Sequence, residues 1–474
     1  MIVKMKVRFI LISLFILLVL YGCSNLFGNL TTNSVSSKNT ISLPIVSVFL
    51  SVKNNDSPNI QVKIKDIALL SSDGIWYNIN PNVIEMSSRS INNGQILLAQ
   101  SHIPEGSYCK IKFDVVSAFL QHGDNIQKLL IKKKTITVPI LGNFSLSSTD
   151  SKCIFVSWDV KKSLDKNIFS MVVESYPQSI PLMTELLYVA CPYINTIFII
   201  RTDLNKVCGS FGVTGNPTYI ALDYNNNKLY VLTTQDNFIK VYNINSYQLI
   251  DKISIPFTVQ AKYMVFDKND NYIFVLDPTS NAIVKLDVSS GSITVKDHIG
   301  YQPTFGSYFD KIHTLAITSK LSQVIYFLNP DTLNIIKSIS TTNSPTGILL
   351  WNNLLYIANS NSNSISVYDI NTDNMIMHFN VGIDPVRLYN GTNEIFVSNY
   401  ISNSVDVLLP NQVGVVQEIP VGDGPVDMAC SHTRHWLYVA CHIDKNITVI
   451  DPSSSRVIKH IYLGSMPLGL VVLQ

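Results

Sequence analysis

The densest group of side chains able to do acid–base or metal chemistry in this 474-residue sequence is Ser431-His432-Thr433-Arg434-His435-Trp436, with His442 just beyond it. Imidazoles beside a guanidinium could hold a metal or pass a proton. The flanking apolar runs read as strands, however, so the segment is a turn between the first and second strands of one unit. His442 then falls in the next hairpin, at the other end of the second strand, and the three imidazoles cannot converge. A solvated turn is the plainer reading, because polar residues are ordinary there. Asp277, Asn359 and Asn399 recur at one position of a repeat, and with Tyr400 they could line a ligand face. Asx turns that cap the backbone explain the same residues as well. The sequence has no Gly-x-Ser-x-Gly elbow, no phosphate loop and no recurrent pair of carboxylates. It therefore offers no catalytic constellation, no cofactor site and no metal site.

Cysteine chemistry adds little. Besides Cys23 there are Cys109, Cys153, Cys191, Cys208, Cys430 and Cys441, with no Cys-x-x-Cys among them. Cys109 and Cys153 each fall on an expected strand and could pair, but two buried thiols are the favoured reading because disulfide geometry is demanding. Cys191 and Cys441 hold the same repeat position in units that would be neighbours, and equivalent positions diverge from the axis.

The elements that must position these residues repeat. Tyr356-Ile357, then Ile365, Val367 and Tyr368, then Met375, Met377 and Phe379 read as three successive strands, with Asn, Asp and Ser between them. The same opening recurs at Leu187, Leu229, Ile273, Leu315, Leu355, Ile395 and Leu437, at spacings of 42, 44, 42, 40, 40 and 42 residues. That is the length of a four-stranded propeller blade, so seven starts predict seven blades. The first hairpin tip of each copy is Asn195, Asn237, Asn281, Gln323, Asn363, Asn403 or Lys445. Asn suits a tip because it tolerates left-handed backbone. Gly or Pro connections follow the third strand, as in Gly382-Ile383-Asp384-Pro385 and Gly422-Asp423-Gly424-Pro425. The chain ends just after such a connection, so Leu468 to Leu473 is expected to pair with Leu187 to Ala190 and close the ring.

Tyr356-Ile357-Ala358-Asn359, Ser364-Ile365-Ser366-Val367-Tyr368-Asp369 and the Val-Gly-x-x-Pro at 381–385 resemble the surface-layer type of bacterial and archaeal β-propeller, the YVTN repeat family. The resemblance covers 187–474 and implies the fold. Relatives include surface proteins and enzymes, so it leaves function open.

Lys4, Lys6 and Arg8 precede a run from Phe9 to Leu20 that is apolar except for Ser13. The run is too short to cross a bilayer and suits a signal peptide. Leu20-Tyr21-Gly22-Cys23 resembles the bacterial lipobox, which implies diacylglycerol on Cys23. The tether that follows is rich in Ser, Asn and Thr. Alternating runs from Ile45 onward indicate a separate β-sandwich. Within it, Val62 to Leu69, Ile103 to Phe113 and Phe155 to Leu164 resemble an uncharacterised domain family common near the N-termini of bacterial lipoproteins.

With a net charge of +2, 14% charged residues and no basic stripe, nucleic acid is not an expected partner. The expected chain is all-β: signal peptide 1–22, tether 23–44, β-sandwich 45–180 and seven-bladed propeller 181–474. The expected function is that of a lipoprotein of the bacterial cell envelope, on the outer membrane, its periplasmic side or the cell surface. It would contact the lipid membrane through acylated Cys23 and bind a glycan, peptide or protein ligand without catalysis, on the face carrying Asp277, Asn359, Asn399 and Tyr400. A lactonase-type propeller hydrolase is the alternative from another class. It would need acidic and His ligands at the central channel, where Thr218 to Leu222, Gly347 to Leu350 and Gly469 to Val472 are mostly apolar. A scaffold in an envelope complex is a third reading.

Overall fold

The computed structural model describes residues 43–473, apart from 54–56, 92, 182–183, 257, 268–271, 297 and 342–343. The expected signal peptide, Cys23 and nearly all of the tether lie outside the described residues.

Seven four-stranded antiparallel sheets follow one another from residue 186 to the end of the chain. Each is a blade, with its strands lying in sequence order from the innermost outward. In the second to seventh blades the innermost strands are Pro217–Asp223, Tyr263–Asp267, Pro303–Phe309, Pro345–Trp351, Pro385–Asn390 and Pro425–Cys430. The first blade borrows its innermost strand from the end of the chain: Leu470–Leu473 pairs with Leu186 to Val189, antiparallel, as the repeat predicts. The blades are propeller-like, and apolar residues of neighbouring sheets interdigitate. Tyr188, Tyr230, Tyr356, Tyr438, Phe274 and Phe396, from the second strands, are almost wholly buried between blades.

All seven hairpin tips adopt the left-handed conformation expected of them, with φ between 50° and 59°. The backbone carbonyl of each tip accepts the N–H of the residue eighteen positions later: Val213, Ile255, Ile299, Thr341, Val381, Val421 or Leu463. Four of the asparagines do more. The Oδ1 atoms of Asn195, Asn281, Asn363 and Asn403 accept the backbone N–H of Asn216, Gln302, Asp384 and Gly424, in the connection that leads to the following blade. Each tip thereby braces the path from its own blade to the next.

Residues 45–177 form two larger sheets. In the first, Ile45–Val52 lies between Ile96–His102 and Ser151–Trp158, with Val173–Pro177 at the edge. Ile45–Val52 pairs with Ile96–His102 antiparallel but with Ser151–Trp158 in parallel, which hairpin reasoning does not anticipate. The second sheet is built on Asn59–Ser71 and the long strand Gly106–His122. Val46, Val48, Leu50, Ile154, Val156 and Trp158 from the first sheet meet Ile60, Val62, Ile64, Ile111 and Phe113 from the second in one core. The opposite side of the first sheet is also covered. Phe49 and Cys153 belong to a core with Leu187, Val189, Phe198 and Val207 of the first blade. Gln178 bonds Ser210, Gln95 bonds Val207 and Gln100 bonds the Leu463 carbonyl.

The outermost strand of the first blade, Lys206–Gly212, is adapted to this seat. Its residues Val207 to Phe211 are buried, whereas its counterparts in the other blades are largely exposed. Past their first position those counterparts carry Lys, Asp, Glu or His; here Lys206 is followed by Val207-Cys208-Gly209-Ser210-Phe211-Gly212. A Cβ at Gly209 would lie 2.7 Å from Ile180, and one at Gly212 only 1.8 Å from the Thr149 carbonyl oxygen. Glycine is what lets the two sheets touch.

The six cysteines in the described residues are free thiols: Cys153, Cys191, Cys208 and Cys441 are buried and Cys430 partly so, but Cys109, expected to be a buried thiol, is exposed.

Candidate functional site

Of the residues expected on a ligand face, Asp277, Asn359 and Asn399 stand at the upper ends of their strands but beneath the surface. Asp277, Asn359 and Asn399 end the second strands of their blades, a position that is fully buried in all seven. Asp277 accepts backbone N–H groups from Val259, Gln260, Thr279 and Ser280, the Asx-type capping that was the other reading. Those bonds overcome the opposing effect of burial and hold its carboxyl below the ordinary range. Asn359 donates to Ser366 Oγ and Asn399 to Ser404 Oγ, each within its own blade. Their amide nitrogens are tied into the blades, while the buried Oδ1 of Asn359 and of Asn399 has no hydrogen-bond partner. Tyr400 is half-buried, with Gly424 placed so close that a Cβ would meet its ring at 3.1 Å. The upper face, which carries the hairpin tips, exposes apolar groups instead: Tyr193, Tyr301, Leu321, Ile383, Ile401 and Ile443.

The histidine-rich turn is also structural. It lies on the lower face and is clasped by Glu185, which sequence reasoning overlooked. The Glu185 carboxylate accepts the His432 N–H at 2.7 Å and the Thr433 N–H at 3.2 Å, and the hydroxyls of Ser431, Thr433 and Thr202. Burial alone would raise its pKa, but the donors outweigh that and hold it below the usual range. His442, on the upper face, bonds the Pro467 carbonyl. Among the described residues no three His, Cys, Asp or Glu side chains come together as metal ligands would.

The chemistry converges on the central channel. Two residues after each connecting proline comes a belt position: Tyr219, Phe305, Gly347, Arg387, Asp427 and Gly469, with Tyr263 at the same place in the third blade, which lacks the proline. In the second, fourth, fifth, sixth and seventh blades the strand ladder slips at this point, a bulge that re-aims the side chain. The rings of Tyr219 and Tyr263 are 4.2 Å apart, and those of Tyr263 and Phe305 4.6 Å. The Arg387 guanidinium carbon lies 4.4 Å from the Phe305 centroid and 5.2 Å from that of Tyr263, which places the cation on aromatic faces. The two glycines bring the chain closer. A Cβ at Gly347 would fall 2.8 Å from the Val386 carbonyl oxygen, and one at Gly469 2.7 Å from that of Thr218.

Asp427 completes the belt. Burial pushes its carboxyl up to about 6, against the pull of Arg387 and of the Leu470 and Met428 N–H groups. Its Oδ2 accepts the Leu470 N–H at 3.2 Å. Arg387 donates through Nη1 to the Val386 carbonyl, but its buried Nε has no hydrogen-bond partner. A cavity of about 190 Å³ remains between these groups, lined also by Leu388, Tyr389, Met428 and Leu470. One cation and one carboxylate, not bonded to each other, thus face a small space walled by aromatic rings.

No protein-family profile matches the chain, and no curated protein matches its sequence. Solved structures do. A protein of unknown function from Desulfotomaculum acetoxidans matches with a TM-score of 0.54 at 12% identity, covering 61% of this chain and 99% of its own. A protein provisionally assigned as a 6-phosphogluconolactonase, from Bacteroides fragilis, gives 0.54 at 12% identity over 63% and 100%. A protein from Lactobacillus plantarum gives 0.52 at 15% identity over 61% and 99%. At such identities the likeness is one of fold, and the fold of this chain is an all-β propeller.

Proposed function

We propose that the protein is an envelope lipoprotein, anchored through acylated Cys23, whose propeller binds a small polar ligand in its central channel without transforming it. The observation that carries this reading is that Arg387 and Asp427, not bonded to each other, face one cavity whose other walls are Tyr219, Tyr263, Phe305 and Tyr389 with Leu388, Met428 and Leu470. A carboxylate on the ligand, from an acidic sugar or a peptide terminus, would answer the unpartnered Arg387 Nε, and a hydroxyl or ammonium would answer Asp427. Tyr219, Tyr263 and Phe305 supply flat apolar surface beside them. The lining holds a single carboxylate and no imidazole, a donor set suited to recognition more than to activating water.

Calorimetric titration with glucuronate, N-acetylneuraminate and short peptides tests the reading. Binding by one of these, lost in Arg387→Ala with an unchanged thermal midpoint, is the expected result. Lactone hydrolysis by the purified protein, lost in Asp427→Asn, would replace binding with catalysis. The anchor is tested separately: fatty-acid label should enter the wild type and not Cys23→Ala, and label retained by the variant would remove it.

A further inference from the structure

We propose that a depression on the lower face, between the fourth, fifth and sixth blades, is a second binding site, for a neutral oligosaccharide. It is independent of the channel reading. The innermost strands of the fourth and fifth blades run down to the lower face at Phe309 and Trp351, and that of the sixth ends at Asn390. Between them lies a space of about 400 Å³, within the range of roughly 300–1,000 Å³ found for small-molecule sites. Its side chains of interest are Tyr308, Trp351, Asp310, Lys311, Asn352 and Asn390.

The aromatic walls are braced. Trp351 packs against the core shared by the fifth and sixth blades. The Tyr308 ring meets His313 edge-on, with centroids 6.0 Å apart. Its hydroxyl bonds His313 Nδ1 at 2.7 Å, and His313 Nε2 in turn lies 3.1 Å from Asp331 Oδ2. A wall held in place before the ligand arrives loses little rotamer freedom on binding.

The polar groups around these rings define the ligand. Asp310 and Lys311 are adjacent and cancel in charge, so nothing selects an anion such as a phosphate. Asn352 and Asn390 are exposed, and each offers both a donor and an acceptor to groups that do both. Sugar hydroxyls are such groups, and the C–H face of a sugar ring matches the face of an indole. At the end of the innermost strand Trp351 is the sole indole, the counterparts there being Asp223, Asp267, Phe309, Gly391, Ser431 and Leu473.

The test is tryptophan fluorescence of the full protein, titrated with maltotriose, cellotriose and chitotriose. One of them should shift the emission saturably at millimolar concentration. Trp351→Ala should weaken that affinity at least about tenfold, followed independently by calorimetry, and Asn390→Ala several-fold. Trp351→Phe, with its wild-type thermal midpoint, should retain part of it. Arg387→Ala should bind as the wild type does. No saturable binding of any trisaccharide would overturn the proposal, and so would binding lost in Arg387→Ala but kept in Trp351→Ala, which would put the sugar in the channel.

Discussion

Asn363 does two jobs with one side chain: it sits in left-handed backbone at φ 52° and accepts the Asp384 N–H. The jobs separate by substitution. Asn363→Gly keeps the conformation and loses only the bond, at a cost of about 1 kcal/mol. Asn363→Ala adds the left-handed penalty, about 1–2 kcal/mol more. Equal denaturation midpoints for the two variants would show that conformation plays no part. Two carboxylates give opposite pH signatures. Glu185 titrates below its unfolded range, so its stabilisation is complete above about pH 4.3 and is lost as pH falls through the folded value. Asp427 titrates above its unfolded value, so the folded state holds the extra proton and stability declines as pH rises from about 4 to about 6. Thermal midpoints across pH 3–7 should show a weaker acid loss in Glu185→Gln, and in Asp427→Asn no decline over the upper interval.

The turns of the blades could be read from sequence because all seven copies answer the same backbone demand with the same few residues. The belt could not. Tyr219, Tyr263, Phe305, Gly347, Arg387, Asp427 and Gly469 share a position and nothing else, so a search for likeness passes over them. Alignment on the connecting proline would have exposed them, since the bulge recurs there even though the side chain changes. The recurrent Asp277, Asn359 and Asn399 drew notice for the opposite reason: they recur because the fold uses them. The sandwich seat had its own signal, a rim strand with no charge after Lys206 at its start. Gly212→Ala forces a methyl group against the Thr149 carbonyl and should cost about 1–3 kcal/mol. The equivalent change Ser340→Ala, on the exposed outermost strand of the fourth blade, should cost little. Equal midpoints in thermal denaturation would show that the seat tolerates the added bulk.

For the whole molecule the two ends of the propeller meet in one sheet. Removal of the residues after Ser465 takes away the strand Leu470–Leu473 and bares Leu186 to Val189, which should cost several kcal/mol in lost burial and unpaired backbone groups. A truncated protein that melts at the wild-type temperature would show closure to be dispensable. The same pairing sets a timetable for the newly made chain. Residues 45–177 can assemble as soon as Val173–Pro177 is made, and they receive the first blade at its rim shortly afterwards. The inner edge of that blade must then wait while about 280 further residues are synthesised. At roughly 5–20 residues per second the delay is on the order of fifteen to sixty seconds. Throughout it, Leu186-Leu187-Tyr188-Val189 stands as an open, wholly apolar strand edge, so the nascent chain spends its longest vulnerable interval at the place where the finished ring has its seam.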